Sequence, residues 1–82
     1  MIVYPNPVRG DKLSIQLPGL IKADYTLKLI NSIGQELYSE QINHSGGALS
    51  YALPLPAGLQ PGIYYVQVTS DAKNFWKKVV IQ

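Results

Sequence analysis

The stretch Leu59-Gln60-Pro61-Gly62-Ile63-Tyr64-Tyr65-Val66-Gln67-Val68 joins a predicted turn to the clearest β-strand pattern in the chain. Pro61 presets its own φ for the first corner of a tight turn, and Gly62 tolerates the positive φ that the second corner of a type II turn requires. After this turn the side chains alternate, so that Tyr64, Val66 and Val68 share one face. Since these side chains are apolar or aromatic, we predict a strand whose core face they form.

Segments with the same apolar–polar alternation recur along the chain, separated by Gly, Pro and Asn residues. Strands are predicted over residues 13–17, 25–30, 35–42, 48–55, 63–69 and 75–81, after an extended lead-in over residues 1–4. A short turn containing Gly34 predicts a hairpin between the second and third of these strands. Pro54 cannot donate a ladder hydrogen bond, so its strand is expected to lie at a sheet edge or to pair only in its early part. This spacing favours an all-β fold, a small immunoglobulin-like antiparallel β-sandwich of about seven strands.

Length and composition restrict the possible classes of protein. A chain of 82 residues predicts one domain that covers residues 1–82. The chain contains no cysteine, which excludes disulfides and thiolate metal sites. Its net charge of +2 is too weak to indicate a nucleic-acid partner. Its apolar runs are shorter than the roughly 18 residues that a membrane-spanning helix needs.

Side chains that could carry catalysis or bind a metal are sparse. The one histidine, His44, lies in a predicted glycine-rich loop, and the 5 acidic residues are dispersed. A nucleophilic site needs a base beside its nucleophile, and a metal site needs several ligands at matched spacing. We therefore expect no catalytic residue, no metal site and no cofactor, and we predict that the chain is not an enzyme.

Aromatic residues and one tripeptide leave an alternative function open. Tyr65 and Trp76 are the aromatic residues expected to be most exposed, and coplanar rings at a surface could stack on sugars. The tripeptide Arg9-Gly10-Asp11 matches the integrin-binding signature, although Gly-Asp is also ordinary turn chemistry. The alternative prediction is an accessory β-sandwich module that binds carbohydrate or mediates adhesion.

Five short motifs occur in order along the chain: YPNPV at residues 4–8, LSIQLP at 13–18, YTLKLINSIGQELYSEQI at 25–42, LQPGIYYVQV at 59–68 and KKVVIQ at 77–82. Together they resemble the C-terminal sorting domain (type A) of cargo proteins of the type IX secretion system. The resemblance covers nearly the whole chain, from Tyr4 to Gln82. One departure is an additional Leu-Pro-Ala-Gly at residues 55–58, which leaves the position of the following turn open.

The resemblance implies a non-catalytic signal that directs a fused N-terminal cargo across the outer membrane. The cargo would reach the periplasm by a separate N-terminal signal. The outer-membrane translocon and its shuttle proteins would then recognise the folded domain. A sortase-like cysteine peptidase would remove the domain as its substrate, and the cargo would be anchored at the cell surface or released.

The resemblance also implies which residues a partner recognises. By motif match these are Pro5, Asn6, Pro7, Gly34, Pro61, Gly62, Tyr64, Lys77 and Lys78. Gly34, Gly62 and Tyr64 fit purely structural roles equally well. The apolar residues 79–81 follow the two lysines, which suggests the hypothesis that a partner strand extends an unpaired edge there.

Overall fold

The computed structural model describes residues 1–7 and 10–82, apart from the Leu20 side chain. These residues form seven strands, which confirms the predicted all-β fold. The strands are β1 (Ile2–Tyr4), β2 (Lys12–Leu20), β3 (Ala23–Asn31), β4 (Glu36–His44), β5 (Gly47–Pro54), β6 (Gly62–Thr69) and β7 (Asn74–Ile81).

The strands form two antiparallel sheets. The three-stranded sheet has the order β1-β2-β5, and the four-stranded sheet has the order β4-β3-β6-β7. The predicted hairpin is the β3–β4 pair. β5 ends at Pro54 and lies at the edge of its sheet, as the proline predicts. The arrangement is that of an immunoglobulin-like sandwich, in which two sheets share one interior.

The interior consists of the inward faces of both sheets. In β6, Val66 and Val68 are fully buried and Tyr64 is 7% exposed, which confirms the predicted core face of this strand. The other strands contribute Val3, Leu13, Ile15, Leu17, Tyr25, Leu27, Leu29, Leu49, Leu53, Val79 and Ile81. Each fully buried Leu, Ile or Val contributes roughly 1.5–3 kcal/mol, so this shared interior is the main source of stability.

An irregularity in β4 explains an ambiguous part of the sequence pattern. Leu37 and Tyr38 are adjacent, so simple alternation would turn only one of them toward the core. The pairing of β3 with β4 passes from Leu29–Tyr38 to Ile30–Glu36, which leaves Leu37 as an extra residue in a β-bulge. Both Leu37 and Tyr38 are consequently half-buried and pack against the core.

The turn before β6 lies earlier in the chain than the sequence pattern predicts. Gly62 has a φ of +156° and begins β6, so it does not adopt the φ of about +80° found in a type II turn. Gly58 has a φ of +81°, and the turn falls on Ala57 and Gly58. The additional Leu-Pro-Ala-Gly segment therefore forms the turn, and Pro61 leads from it into the strand.

Two tyrosines join the sheets along one side of the sandwich. The hydroxyls of Tyr38 in β4 and Tyr51 in β5 lie 3.0 Å apart and form a hydrogen bond. β4 and β5 are edge strands of different sheets, so this bond closes that side of the interior. The hydrogen bond, together with burial, raises the pKa of Tyr51 to about 12 from its ordinary value of 10.0.

Truncation of a central core side chain should destabilise the domain far more than truncation at the surface. Leu27 is fully buried, whereas Ile33 is 78% exposed in the β3–β4 turn. We expect Leu27→Ala to lower the free energy of unfolding by about 2–5 kcal/mol, because buried contacts are lost and a cavity remains. Ile33→Ala should change it by less than about 0.5 kcal/mol. Urea unfolding measures both effects, and equal losses would contradict the described core.

Tyr51 should make the stability of the domain decrease as the pH rises from 10 to about 12. The unfolded tyrosine loses its proton near its ordinary pKa of 10.0, whereas the folded one keeps its proton to about pH 12. The unfolded state therefore releases the proton first, and the free energy of unfolding falls across this window while the Tyr51 contribution is complete below it.

Tyr38→Phe removes the hydrogen bond and should flatten this pH dependence. Tyr65→Phe, which also removes one tyrosine but keeps the Tyr38–Tyr51 pair, is the control. Urea unfolding at a series of pH values through the window gives the slopes. An equal slope in wild type and Tyr38→Phe would show that the pair does not control the proton of Tyr51.

Candidate functional site

Most of the candidate recognition residues lie in the loops at one end of the sandwich. This end is named the loop pole, and it comprises residues 5–7, 10–11, 31–35, 55–62 and 82. Asn31 ends β3 and pairs with Tyr64 in β6. Gly62 begins β6 and pairs with Ile81 at the end of β7. The antiparallel register thus brings segments that are far apart in the sequence to one end of the fold.

The loops of the two sheets also meet at the loop pole. The amide of Leu55 donates a hydrogen bond of 2.8 Å to the carbonyl of Asp11, which joins the segments that flank β2 and β5. A groove of about 430 Å³ lies where Asp11, Leu59 and Gln82 approach one another. The loop pole is therefore one continuous surface that includes parts of both sheets.

Asn31 organises the β3–β4 turn, which contains the candidate residue Gly34. The Asn31 side-chain oxygen accepts hydrogen bonds from the amides of Ile33 at 3.1 Å and Gln35 at 2.8 Å. Gly34 has a φ of +88°, a conformation that other residues rarely adopt. The sequence reasoning missed Asn31, although asparagine is a residue whose side chain often bonds to the backbone two residues ahead in turns.

Tyr64 holds the segment that contains Pro61 against the sandwich. Its hydroxyl donates a hydrogen bond of 2.6 Å to the carbonyl of Gln60, four positions upstream. The ring is 7% exposed, whereas Pro61 and Gln60 are exposed. Tyr64 therefore belongs to the core and positions the exposed segment, so it offers a partner little surface of its own.

Asn6 connects the start of the chain to its last strand. Its side-chain oxygen accepts a hydrogen bond of 3.1 Å from the amide of Val80 in β7. Asn6, Pro5 and Pro7 are exposed, and the peptide bonds before both prolines are cis. β1 and β7 are edge strands of different sheets, so this bond closes the side of the sandwich opposite the Tyr38–Tyr51 pair.

Lys77 and Lys78 lie on opposite faces of β7. Lys77 pairs with the fully buried Val66 and so is on the inward face, yet it is exposed because the strand is at the sheet edge. Lys78 pairs with Tyr65 and is exposed on the outward face. The structure therefore places the two charges on either side of the open edge of β7, away from the loop pole.

The aromatic residues of the outward face do not form a flat platform. Trp76 is 63% exposed, whereas Tyr65 is half-buried. Their ring centroids are 5.8 Å apart and their planes are inclined by 62°. Together with Gly34 they line a groove of about 400 Å³. Because the rings are steeply inclined, they lack the coplanar arrangement that the carbohydrate alternative requires.

The remaining candidates from the sequence are a metal site, a membrane-spanning helix, His44 and the Arg9-Gly10-Asp11 tripeptide. Among the described residues, no group of three or more His, Cys, Asp or Glu side chains could hold a metal ion. The described part of the chain forms no helix capable of spanning a membrane. His44 is the last residue of β4, so the prediction that it lies in a loop was wrong. Its Nε2 atom lies 3.0 Å from the carbonyl oxygen of Gly47. Arg9 lies outside the described residues, so no geometry is assigned to the Arg9-Gly10-Asp11 tripeptide.

Comparison with protein families decides the assignment. The model of the family described as secretion system C-terminal sorting domain matches residues 2–82. The chain belongs to this family. A comparison with curated proteins gives no match.

The sorting domain is a type IX secretion signal, as its motifs predict. Domains of this family are non-catalytic and interact with the type IX machinery. The domain implies a fused N-terminal cargo and export of that cargo across the outer membrane, to the cell surface or the extracellular space. No finding supports the carbohydrate-binding alternative.

Loss of the Asn6 side chain should expose the Val80 amide to solvent. We expect Asn6→Ala to accelerate hydrogen exchange at Val80 and to cost about 0.5 kcal/mol, the low end for a hydrogen bond because this one is exposed. Asn6→Asp keeps a side-chain oxygen and should retain the protection.

Amide exchange followed by NMR is the measurement, with Asn43→Ala, at an exposed position of β4, as the control. Unchanged exchange at Val80 in Asn6→Ala would contradict the described contact.

Proposed function

We propose that the type IX machinery recognises the sorting domain as a folded object, at its loop pole and along the open edge of β7. The observation that carries this proposal is the convergence of three distant segments, residues 5–7, 34 and 61–62, at one end of the sandwich. A surface that is already folded can be bound with little loss of conformational entropy. A rigid pole therefore suits a signal that must be recognised on many different cargo proteins.

The exposed candidate residues are proposed to contact the partner directly. Pro5, Pro7 and Pro61 offer exposed, conformationally restricted rings at the loop pole. Lys77 and Lys78 offer positive charge on both sides of the β7 edge. The restricted proline rings cost little conformational entropy to engage, whereas the two lysines supply electrostatic attraction, which mainly increases the rate of association.

The other candidate residues are proposed to act by shaping this surface. Asn6 ties its segment to β7 through Val80, and Tyr64 ties the segment before β6 through Gln60. Gly34 supplies the positive φ of the β3–β4 turn. Substitution of these residues would change recognition by changing the shape of the loop pole.

The proposed partners are the outer-membrane translocon and its shuttle proteins, which the domain meets after transit through the periplasm. A sortase-like cysteine peptidase is proposed to remove the domain from the cargo, with the domain as its substrate. These steps place the chemistry in the partners, so we propose that the domain has no enzymatic activity of its own. Residues 1–82 are proposed to act as one sorting unit.

A charge placed in the loop pole should reduce export without unfolding the domain. We expect Pro61→Glu, in a reporter fused to residues 1–82, to lower delivery to the cell surface by about tenfold or more, because loss of a hot-spot contact costs about 2 kcal/mol or more, above the roughly 1.4 kcal/mol of a tenfold change. Surface labelling of the reporter in a host that has this secretion system is the measurement.

Pro18→Glu is the matched control. Pro18 is also an exposed proline, but it lies near the end of β2, at the opposite pole. Urea unfolding of both variants shows whether the fold is retained. Equal export of the two variants at equal stability would refute recognition at the loop pole. Deletion of residues 77–82 is a poorer test, because it removes the buried side chains of Val79 and Ile81.

A further inference from the structure

Among the described residues, no strand pairs with the outer side of β7, which presents a short row of backbone hydrogen-bonding groups. β7 pairs with β6 on one side and is the last strand of its sheet. The Val80 amide points away from β6, toward Asn6. Backbone groups alternate in direction along an antiparallel strand, so those of Trp76 and Lys78 point to the same open side. Asn6 already engages Val80, which limits the accessible row to residues 74–78.

The side chains that border this row are positively charged or aromatic. Lys77 is exposed on the inward face, between Phe75 and the buried Val79. Trp76 and Lys78 are exposed on the outward face. The ion pair found among the described residues joins Lys28 to Glu36, and so involves neither of these lysines.

We propose that the open edge of β7 binds an extended acidic segment by strand addition, with a carboxylate beside Lys77 and an apolar side chain beside Trp76. This inference rests on the proposed function, since the segment belongs to the secretion machinery. An inward-facing lysine on an edge strand opposes pairing with an arbitrary strand, because the charge would have to be covered. A carboxylate in the added strand would lie beside Lys77, so the charge that opposes other strands would form a favourable cross-strand pair with this one.

The charge of the domain favours an acidic partner over a second copy. The β4 edge of another copy could offer Glu40, which pairs with the buried Leu27 and so lies on the inward face. The bulge at Leu37 disrupts the β4 ladder, and the net charge of +2 on each copy adds a weak, salt-screened repulsion between two copies. An acidic segment of another protein has neither the disrupted ladder nor the like charge.

Binding of synthetic peptides to the 82-residue chain tests the proposal. The probes are short peptides in which valine alternates with glutamate, glutamine or lysine. Trp76 is the one tryptophan of the chain, so its fluorescence reports binding at the edge. We expect the glutamate peptide to bind roughly two- to fivefold more tightly than the glutamine peptide, and the lysine peptide to bind least. Amide exchange at Trp76 and Lys78 should slow in the complex.

Charge-reversal variants show whether peptide binding depends on the charge at Lys77 or on the net charge of the domain. Lys77→Glu should reverse the order of the peptides, so that the lysine peptide binds most tightly. Lys22→Glu causes the same change in net charge at an exposed position outside the strands, and should preserve the wild-type order. A similar response to both substitutions would overturn the proposal, as would slowed exchange in β4 together with self-association of the chain.

Export of the reporter distinguishes failure of this inference from failure of the proposed function. In one outcome, the wild-type fusion is exported, Pro61→Glu is not, and the three peptides bind equally well. This outcome would refute the acidic segment but leave recognition at the loop pole intact. Charge-selective peptide binding combined with normal export of Lys77→Glu would overturn the role of this edge in secretion. The proposal predicts charge-selective binding and reduced export of Lys77→Glu together.

Discussion

Burial of one apolar interior between two sheets is the interaction on which the rest of the structure depends. The central strands β3 and β6 carry the fully buried side chains of Leu27, Leu29, Val66 and Val68. Fixing the backbone of a residue costs about 1–2 kcal/mol, and burial of such side chains is the term large enough to offset it. Within the loop pole, Leu55 and Leu59 pack against this core. Hydrogen bonds made by the side chains of Asn31, Tyr64 and Asn6 hold the exposed parts of the pole to the strands.

The fold was predictable because strands with one face in this interior alternate apolar and polar residues along the sequence. Tyr64, Val66 and Val68 alternate with more exposed residues, and the structure confirms that they face inward. The pattern failed where the backbone departs from regular geometry. Alternation cannot place Leu37, which is the extra residue of a bulge. The Pro61-Gly62 motif predicted a turn there, whereas the turn lies at Gly58, in the additional segment that had left its position open.

The candidate site was less predictable, because its assembly depends on pairing between distant strands. The motifs pointed to residues 5–7, 34 and 61–62, but their proximity follows from a register that local patterns do not encode. The Asn6–Val80 hydrogen bond joins residues 74 positions apart, and nothing in the sequence around Asn6 indicates its partner. Asn31 was within reach of prediction, since its bonds are local and typical of asparagine in turns.

The position of β7 makes the two ends of the described fold depend on each other. Val79 and Ile81 help to fill the interior, and the Val80 amide donates a hydrogen bond to the Asn6 side chain. Loss of the residues from 79 onward would therefore remove core side chains and the Asn6 contact together. A change at the last strand would thus alter the segment at residues 5–7, which lies at the other end of the sequence.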